Sequence, residues 1–328
     1  MSLGQRITAL PREMQQEIII RIGRVSMAIV RHTILGIDSN WFAMYGDPDI
    51  HSNGLKFFEW IYRNHNASIN RLRIAETGHE DMVKFLVNEG NVDTICNGLA
   101  SSGRLELLQW AVNNGCKIDA WTCANAAMAG QLDTLKWLRF PDVSGNIGCA
   151  WNVLTSAAAA QYGRMELLKW AIDNGCPFDD STCIAAAEGG HLDVLKLLHN
   201  QGCPWSKSVC AAAVRSGRLD ILQWVRANGC DWDERVCWIA AETGRLDILQ
   251  WARFGTSAEC PWDEYTCAFA AESGHLDILK WLRSPDASKF PDASGKGCPW
   301  NSNTIIYARG NGHLDIVKWA IDNGCPDV

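Results

Sequence analysis

The 328-residue sequence contains no run of 18 or more apolar residues, so a membrane-spanning helix is not expected. Its opening residues, Met1-Ser2-Leu3-Gly4-Gln5-Arg6, lack the short apolar stretch and small-residue cleavage site of a secretory signal, and secretion is not expected either. Basic excess is missing: 30 Lys and Arg stand against 37 Asp and Glu, for a net charge of −7. Without a positive field to neutralise phosphates, nucleic acid is not an expected partner. There is no Gly-rich phosphate loop ending in Lys-Ser or Lys-Thr, no H-E-x-x-H and no G-x-S-x-G. These gaps leave no basis for an enzyme, a metal site or a cofactor.

Apolar residues make up 47% of the chain, enough for a continuous core, so disorder is not the default. The 14 cysteines sit in a long chain without a secretory signal, which predicts free thiols in a reducing, cytoplasmic compartment.

One phrase recurs: Gly, then His or Arg, Leu, an acid, two aliphatics, Lys or Gln, and usually Trp. Its glycine falls at Gly78, Gly103, Gly130, Gly163, Gly190, Gly217, Gly244, Gly274 and Gly312, with a basic period of 27. In the unit from Ser181 to Trp205, Thr182 to Glu188 is small-residue-rich and free of Gly and Pro, which predicts a two-turn first helix. Beyond Gly190, Leu192, Val194, Leu195, Leu197 and Leu198 recur at helical spacing with Asp193 and Lys196 opposite, predicting a second helix. Gly202 suits the left-handed residue past a helix end, and Pro204 prevents continuation. Neither helix can bury its apolar face alone, so the units must stack.

The phrase Ala270 to Leu282 resembles the ankyrin repeat, and the resemblance extends over about residues 70 to 328. The family's Thr-Pro-Leu-His opening is replaced by forms such as Tyr265-Thr266-Cys267-Ala268. Segments such as Gly202 to Ser208 are too short for the family's β-hairpin finger. This compact form is similar to ankyrin arrays encoded by large DNA viruses of protists and by some protists, which would place a viral version in host cytoplasm. The implied fold is all-α, an ankyrin-like helical-repeat solenoid with little or no β-hairpin. Residues 51–328 would form the array of about nine repeats plus a degenerate first one, behind an N-terminal helical region at 1–50.

The cysteines occupy two repeat positions. Cys116, Cys149, Cys176, Cys203, Cys230, Cys260, Cys298 and Cys325 follow the second helix, and Cys96, Cys123, Cys183, Cys210, Cys237 and Cys267 lie seven before the repeat glycine. That spacing is not a zinc pattern, and Ser156 and Ile305 replace the second class in two units, so core filling is expected. Tryptophan forms two ladders. One falls seven after the glycine (Trp110, Trp137, Trp170, Trp224, Trp251, Trp281, Trp319), the other after Cys-Pro or its equivalent (Trp151, Trp205, Trp232, Trp262, Trp300). Packing between repeats is the expected use, with an exposed aromatic track as the alternative. Past the glycine, His79, His191, His275 and His313 share a slot with Arg104, Arg164, Arg218 and Arg245, which excludes a general base and predicts a donor to the turn. Two residues on, Asp81, Glu106, Asp133, Glu166, Asp193, Asp220, Asp247, Asp277 and Asp315 should open the second helix and complement its dipole.

Outside the period, Pro11 stands near a helix start, and Leu10, Met14, Ile18 and Ile22 recur every four residues as an amphipathic helix. This opening resembles the F-box, which docks on a Skp-type adaptor of cullin ubiquitin ligases, with Trp41 about where the module's closing Trp falls. Leu10, Pro11, Met14, Ile18 and Ile22 would then contact the adaptor, whereas a plain cap over the first repeat demands the same pattern. Three insertions lengthen the loop after the second helix, at 140–148, 254–259 and 284–297.

The functional expectation is a monomeric scaffold holding a protein partner on a concave face. Its candidate contacts precede the repeat glycines: Glu76, Ser101, Met128, Gln161, Glu188, Arg215, Glu242 and Glu272. Substrate recognition for a ubiquitin ligase is the alternative.

Overall fold

The computed structural model describes residues 71–77, 79–90, 92, 94–140, 148–255, 259–283 and 297–327, and among these are eighteen α-helices and no strand. The helical region expected at 1–50, with Leu10, Pro11, Met14, Ile18, Ile22 and Trp41, lies outside the described residues. So do residues 141–147, 256–258 and 284–296 of the insertions.

The helices alternate as first and second members of pairs. They are α1 Arg71–Thr77 with α2 Glu80–Asn88, α3 Ile95–Ser102 with α4 Leu105–Asn113, and α5 Ala120–Ala129 with α6 Leu132–Arg139. There follow α7 Val153–Gln161 with α8 Met165–Asp173, α9 Asp180–Glu188 with α10 Leu192–Asn200, and α11 Lys207–Arg215 with α12 Leu219–Ala227. The last are α13 Arg235–Glu242 with α14 Leu246–Phe254, α15 Glu264–Glu272 with α16 Leu276–Leu282, and α17 Ser302–Gly310 with α18 Leu314–Asp322. Two compact units contain them. The described residues up to Ala159 together with Glu166–Pro177 form one, and Ala160–Met165 with the described residues from Phe178 onward form the other. In the first unit α1 packs on α3 and α3 on α5; in the second α9, α11, α13, α15 and α17 pack in succession, each beside its own second helix. The repeat logic therefore produces a helical-repeat fold, with no β-hairpin finger among the described residues.

One pair shows how the local code works. Asp179 caps α9: its Oδ1 accepts from the Ser181 backbone N–H at 2.9 Å, while the Asp179 N–H donates to Thr182 Oγ1 at 3.4 Å. The same capping box recurs at Asp119–Thr122 and Asp263–Thr266, each worth about 1 kcal/mol. This Thr is fully buried, which explains the Thr of the repeat opening. Ala186 and Ala187 of α9 are buried, as are Val194, Leu195 and Leu198 of α10. The turn between them needs a left-handed residue, and Gly190 supplies it at φ 76°. All eight described repeat glycines have positive φ, from 66° at Gly163 to 82° at Gly312.

The second helices from α4 onward close in one way. The Cys203 N–H donates to Leu198 O at 3.0 Å, and in the repeats with insertions Cys149 donates to Leu138 O at 2.6 Å, Cys260 to Ala252 O at 3.0 Å and Cys298 to Leu282 O at 2.8 Å. An insertion thus leaves from and returns to a closure that the uninserted repeats share.

Candidate functional site

The two tryptophan ladders meet between repeats. The Trp after the cysteine of one repeat packs against the Trp of the next second helix: Trp151 on Trp170 at 5.8 Å, Trp205 on Trp224 at 5.5 Å, Trp232 on Trp251 at 5.7 Å, Trp262 on Trp281 at 6.2 Å and Trp300 on Trp319 at 5.9 Å between centroids. Inter-repeat packing is their use, although the rings are not all buried. Only Trp151 and Trp232 are buried; the other ladder rings are half-buried, with an edge to solvent. A cation lies over most rings of the ladder that follows the cysteine. Arg139 lies 4.7 Å from the Trp151 centroid, Arg226 4.1 Å from Trp232, Arg253 3.9 Å from Trp262 and Arg283 4.2 Å from Trp300. His199 takes the same slot over Trp205 at 4.7 Å. Where this slot is aliphatic, as at Val112 and Ile172, the ring position holds Ile118 and Phe178 instead. The two slots therefore change together within one chain. These arginines also fasten the loop bases, since Arg253 and Arg283 donate to Cys260 O and Cys298 O at 2.6 Å, and Arg226 donates to Cys230 O.

The residue after the repeat glycine is a donor, but to the preceding repeat rather than its own turn. Arg218 Nη1 reaches Gly190 O at 3.1 Å, Arg245 Nη1 reaches Gly217 O, Gln131 Nε2 reaches Ser101 O at 3.3 Å, and His275 Nε2 meets Glu242 O at 3.1 Å. A Cβ on Gly163 would lie 2.6 Å from the His191 ring, and one on Gly274 would lie 2.7 Å from His313, so the glycines also make room for this latch. The recurrent acids lie in the first turns of second helices as expected. Arg218 holds Asp220 in a fork at 2.8 and 2.7 Å, and this hydrogen-bonded pairing lowers the Asp220 pKa.

All 14 cysteines are free and buried. The class after the second helix points Sγ at the carbonyl that begins its own repeat's first helix: Cys149 to Asp119 O at 2.8 Å, Cys203 to Asp179 O at 3.1 Å, Cys298 to Asp263 O at 3.2 Å and Cys325 to Asn301 O at 3.3 Å. Cysteine here is a small apolar filler with one weak donor aimed at a backbone acceptor. Among the described residues no group of three or more His, Cys, Asp or Glu side chains could hold a metal ion, and no helix is long and apolar enough to cross a membrane.

Each predicted contact residue falls in the last turn of a first helix. Gln161, Glu188, Arg215 and Glu242 are exposed, and Glu76, Ser101, Met128 and Glu272 are half-buried. Part of the row satisfies itself. Arg215 Nη1 pairs with Glu188 Oε1 at 2.9 Å, and Ser101 Oγ donates to Gly98 O at 2.9 Å. First helices also carry residues that the row omitted. Of the 16 tryptophans, Trp41, Trp60, Trp121 and Trp238 belong to neither ladder, and both described ones stand on first helices. Trp121 of α5 is 58% exposed. Trp238 of α13 begins an aromatic cluster across three successive first helices. It lies 5.8 Å from Tyr265 and 6.0 Å from Phe269 of α15, and Phe269 lies 6.3 Å from Tyr307 of α17. Trp238 Nε1 donates to Asp263 Oδ1 at 2.6 Å, which fixes the ring. Tyr265 is 38% exposed, and Ile306 beside Tyr307 is 44% exposed. Glu242 stands four residues after Trp238 and Glu272 three after Phe269, so helical geometry puts both carboxylates on the aromatic side. Subtracting the ladder positions from the tryptophan count was the signal that could have found this patch.

The paired helices, with their recurring caps, turn glycines and latches, define a helical-repeat protein. No known family profile matches the chain, and no curated protein resembles it in sequence. Among solved structures, the pentatricopeptide repeat protein PPR10, in its crystal structure with an 18-nt psaJ RNA element, aligns at 14% identity over 83% of this chain with a TM-score of 0.39. The chain spans 46% of that protein's length. A likeness at this level says nothing of what the present chain binds.

Proposed function

We propose that this chain is an ankyrin-like scaffold that holds a protein segment on the outer side of its first helices and catalyses nothing. The observation that carries this reading is the cluster Trp238, Tyr265, Phe269 and Tyr307. Its rings stand outside both structural ladders and partly face solvent on a rigid, latched support. Aromatic rings flanked by Glu242 and Glu272 suit a segment that brings Lys or Arg together with apolar side chains. Cations stack on the rings and are attracted by the carboxylates. A single-stranded nucleic acid would meet rings without the cationic groove that stacking platforms use.

The test is selection of peptides from a displayed random library on the full-length protein, followed by crosslinking from a photoreactive residue at position 265 or at position 250. Gln250, on a second helix, is the control site. Enrichment of basic, apolar peptides that crosslink from 265 and not from 250 is expected. Acidic peptides, or crosslinks from 250 alone, would overturn the reading.

A substrate-receptor role in a ubiquitin ligase rests on the F-box resemblance of residues 10–41. Retention of a Skp-type adaptor by the full chain at micromolar concentration, lost on Leu10→Asp, is the expected result for that role; no retention would leave those residues as a cap.

A further inference from the structure

Six repeats contain both cysteine classes, and each brings its two thiols together. Cys183 Sγ lies 2.7 Å from Cys203 Sγ, and Cys210 Sγ lies 3.3 Å from Cys230 Sγ. The thiols Cys96 and Cys116, Cys123 and Cys149, Cys237 and Cys260, and Cys267 and Cys298 also interact pairwise. Core filling explains small apolar side chains at these positions, but not why sulfur faces sulfur in six repeats. The two members differ. Cys183 and Cys210 are 0% exposed within their first helices, whereas Cys203 and Cys230 are 3% and 1% exposed at the turn that ends the second helix.

We propose that Cys183–Cys203 and Cys210–Cys230 are oxidative modification sites at which a hydroperoxide closes a disulfide within one repeat. In each pair the turn cysteine is the attacking sulfur and the helix cysteine resolves it. The Cys183 S–H donates to Cys203 Sγ; this hydrogen bond lowers the Cys203 pKa and raises that of Cys183, and Cys210 and Cys230 divide in the same sense. The Cys203 thiolate attacks one peroxide oxygen, the O–O bond breaks, and a sulfenic acid forms as hydroxide or alkoxide departs. The Cys183 sulfur then attacks the sulfenyl sulfur, an S–S bond forms, the S–O bond breaks, and the Cys183 proton leaves with the oxygen as water. Two thiols lose two electrons in all, and one peroxide gains them. A disulfide bond of about 2.0 Å is a short displacement from the contact distance in Cys183–Cys203. The product ties the start of a first helix to the end of its own second helix.

The chain holds its own controls. Ser156 faces Cys176, and Ile305 stands where the partner of Cys325 would be, so neither has a thiol partner in its repeat. Full-length folded protein would be treated with hydrogen peroxide, alkylated without reduction, and mapped by mass spectrometry. Crosslinked peptides joining Cys183 to Cys203 and Cys210 to Cys230, each 2 Da lighter than its reduced form, are expected, with Cys176 and Cys325 still alkylated. Cys183→Ser should remove its crosslink and leave Cys203 as a sulfenic acid trapped by dimedone, which separates attack from resolution. Alkylation of all four paired cysteines after oxidation would overturn the proposal. So would disulfides only between molecules, or no dimedone adduct at Cys203 in folded Cys183→Ser.

Discussion

The pairing of Arg226 with Trp232 yields the sharpest stability prediction. The guanidinium lies 4.1 Å from the ring centroid, its side chain is 16% exposed, and it donates to Cys230 O. A desolvated cation–π contact contributes about 1–2 kcal/mol, and a hydrogen bond from a charged donor about 1.5–3 kcal/mol before the cost of burying the charge. Arg226→Ile should therefore destabilise by about 2 kcal/mol. Trp232→Phe should cost about 1–2 kcal/mol through lost area and a weaker contact with Trp251, which lies at 5.7 Å. The double variant reproduces the combination that the chain uses at Ile172 and Phe178. It should cost less than the sum of the singles by about 1 kcal/mol, because both single substitutions weaken the same cation–ring contact, which can be lost only once. Urea midpoints at unchanged slope supply the four corners of the cycle. Additivity to within about 0.5 kcal/mol would refute the coupling.

Three further outcomes follow from the same contacts. Gly274→Ala should destabilise by about 1–2 kcal/mol more than Gly312→Ala, because both are left-handed but only the first would drive a Cβ against His313; equal denaturation midpoints would contradict the latch. Asp263→Ala removes a capping box and the acceptor for Trp238 Nε1, so a loss of about 2 kcal/mol and a shifted Trp238 indole N–H resonance are expected; an unmoved resonance would contradict the contact. Burial pushes the Cys176 and Cys325 thiols up to about 11 from an ordinary 9.0, so their contribution is complete below pH 9 and disappears as pH rises through 11. Urea midpoints should fall over that window, and Cys176→Ser with Cys325→Ser should shrink the fall; an unchanged fall would refute the assignment.

Most of the fold was legible because repetition averages out local ambiguity. Gly190 alone is weak evidence for a turn, but the same glycine at a basic period of 27, followed in seven of nine units by Leu and in all nine by an acid, leaves few alternatives. The pair boundaries at Asp180–Glu188 and Leu192–Asn200 accordingly enclose the helices expected from Thr182 and Leu192. Contacts between repeats were less legible. That Arg218 reaches Gly190 O rather than its own turn depends on the stagger of neighbouring pairs, which spacing does not contain. The candidate site was less legible still. Spacing alone does not show that Arg215 pairs with Glu188, and the aromatic cluster was hidden because Trp238 sat among ladder tryptophans of the same type.

Fluorescence anisotropy can decide whether the aromatic cluster on the first helices binds a basic, apolar protein segment, as proposed. A labelled peptide of Arg, Lys, Leu and Trp, an acidic counterpart and a single-stranded RNA of matched length would be titrated with the full chain and with Tyr265→Ala and Glu272→Lys. Binding of the basic peptide, weakened about tenfold or more by either substitution, about 1.4 kcal/mol, is the predicted result. Tighter binding of the RNA, or an affinity for the basic peptide that neither substitution changes, would contradict the account.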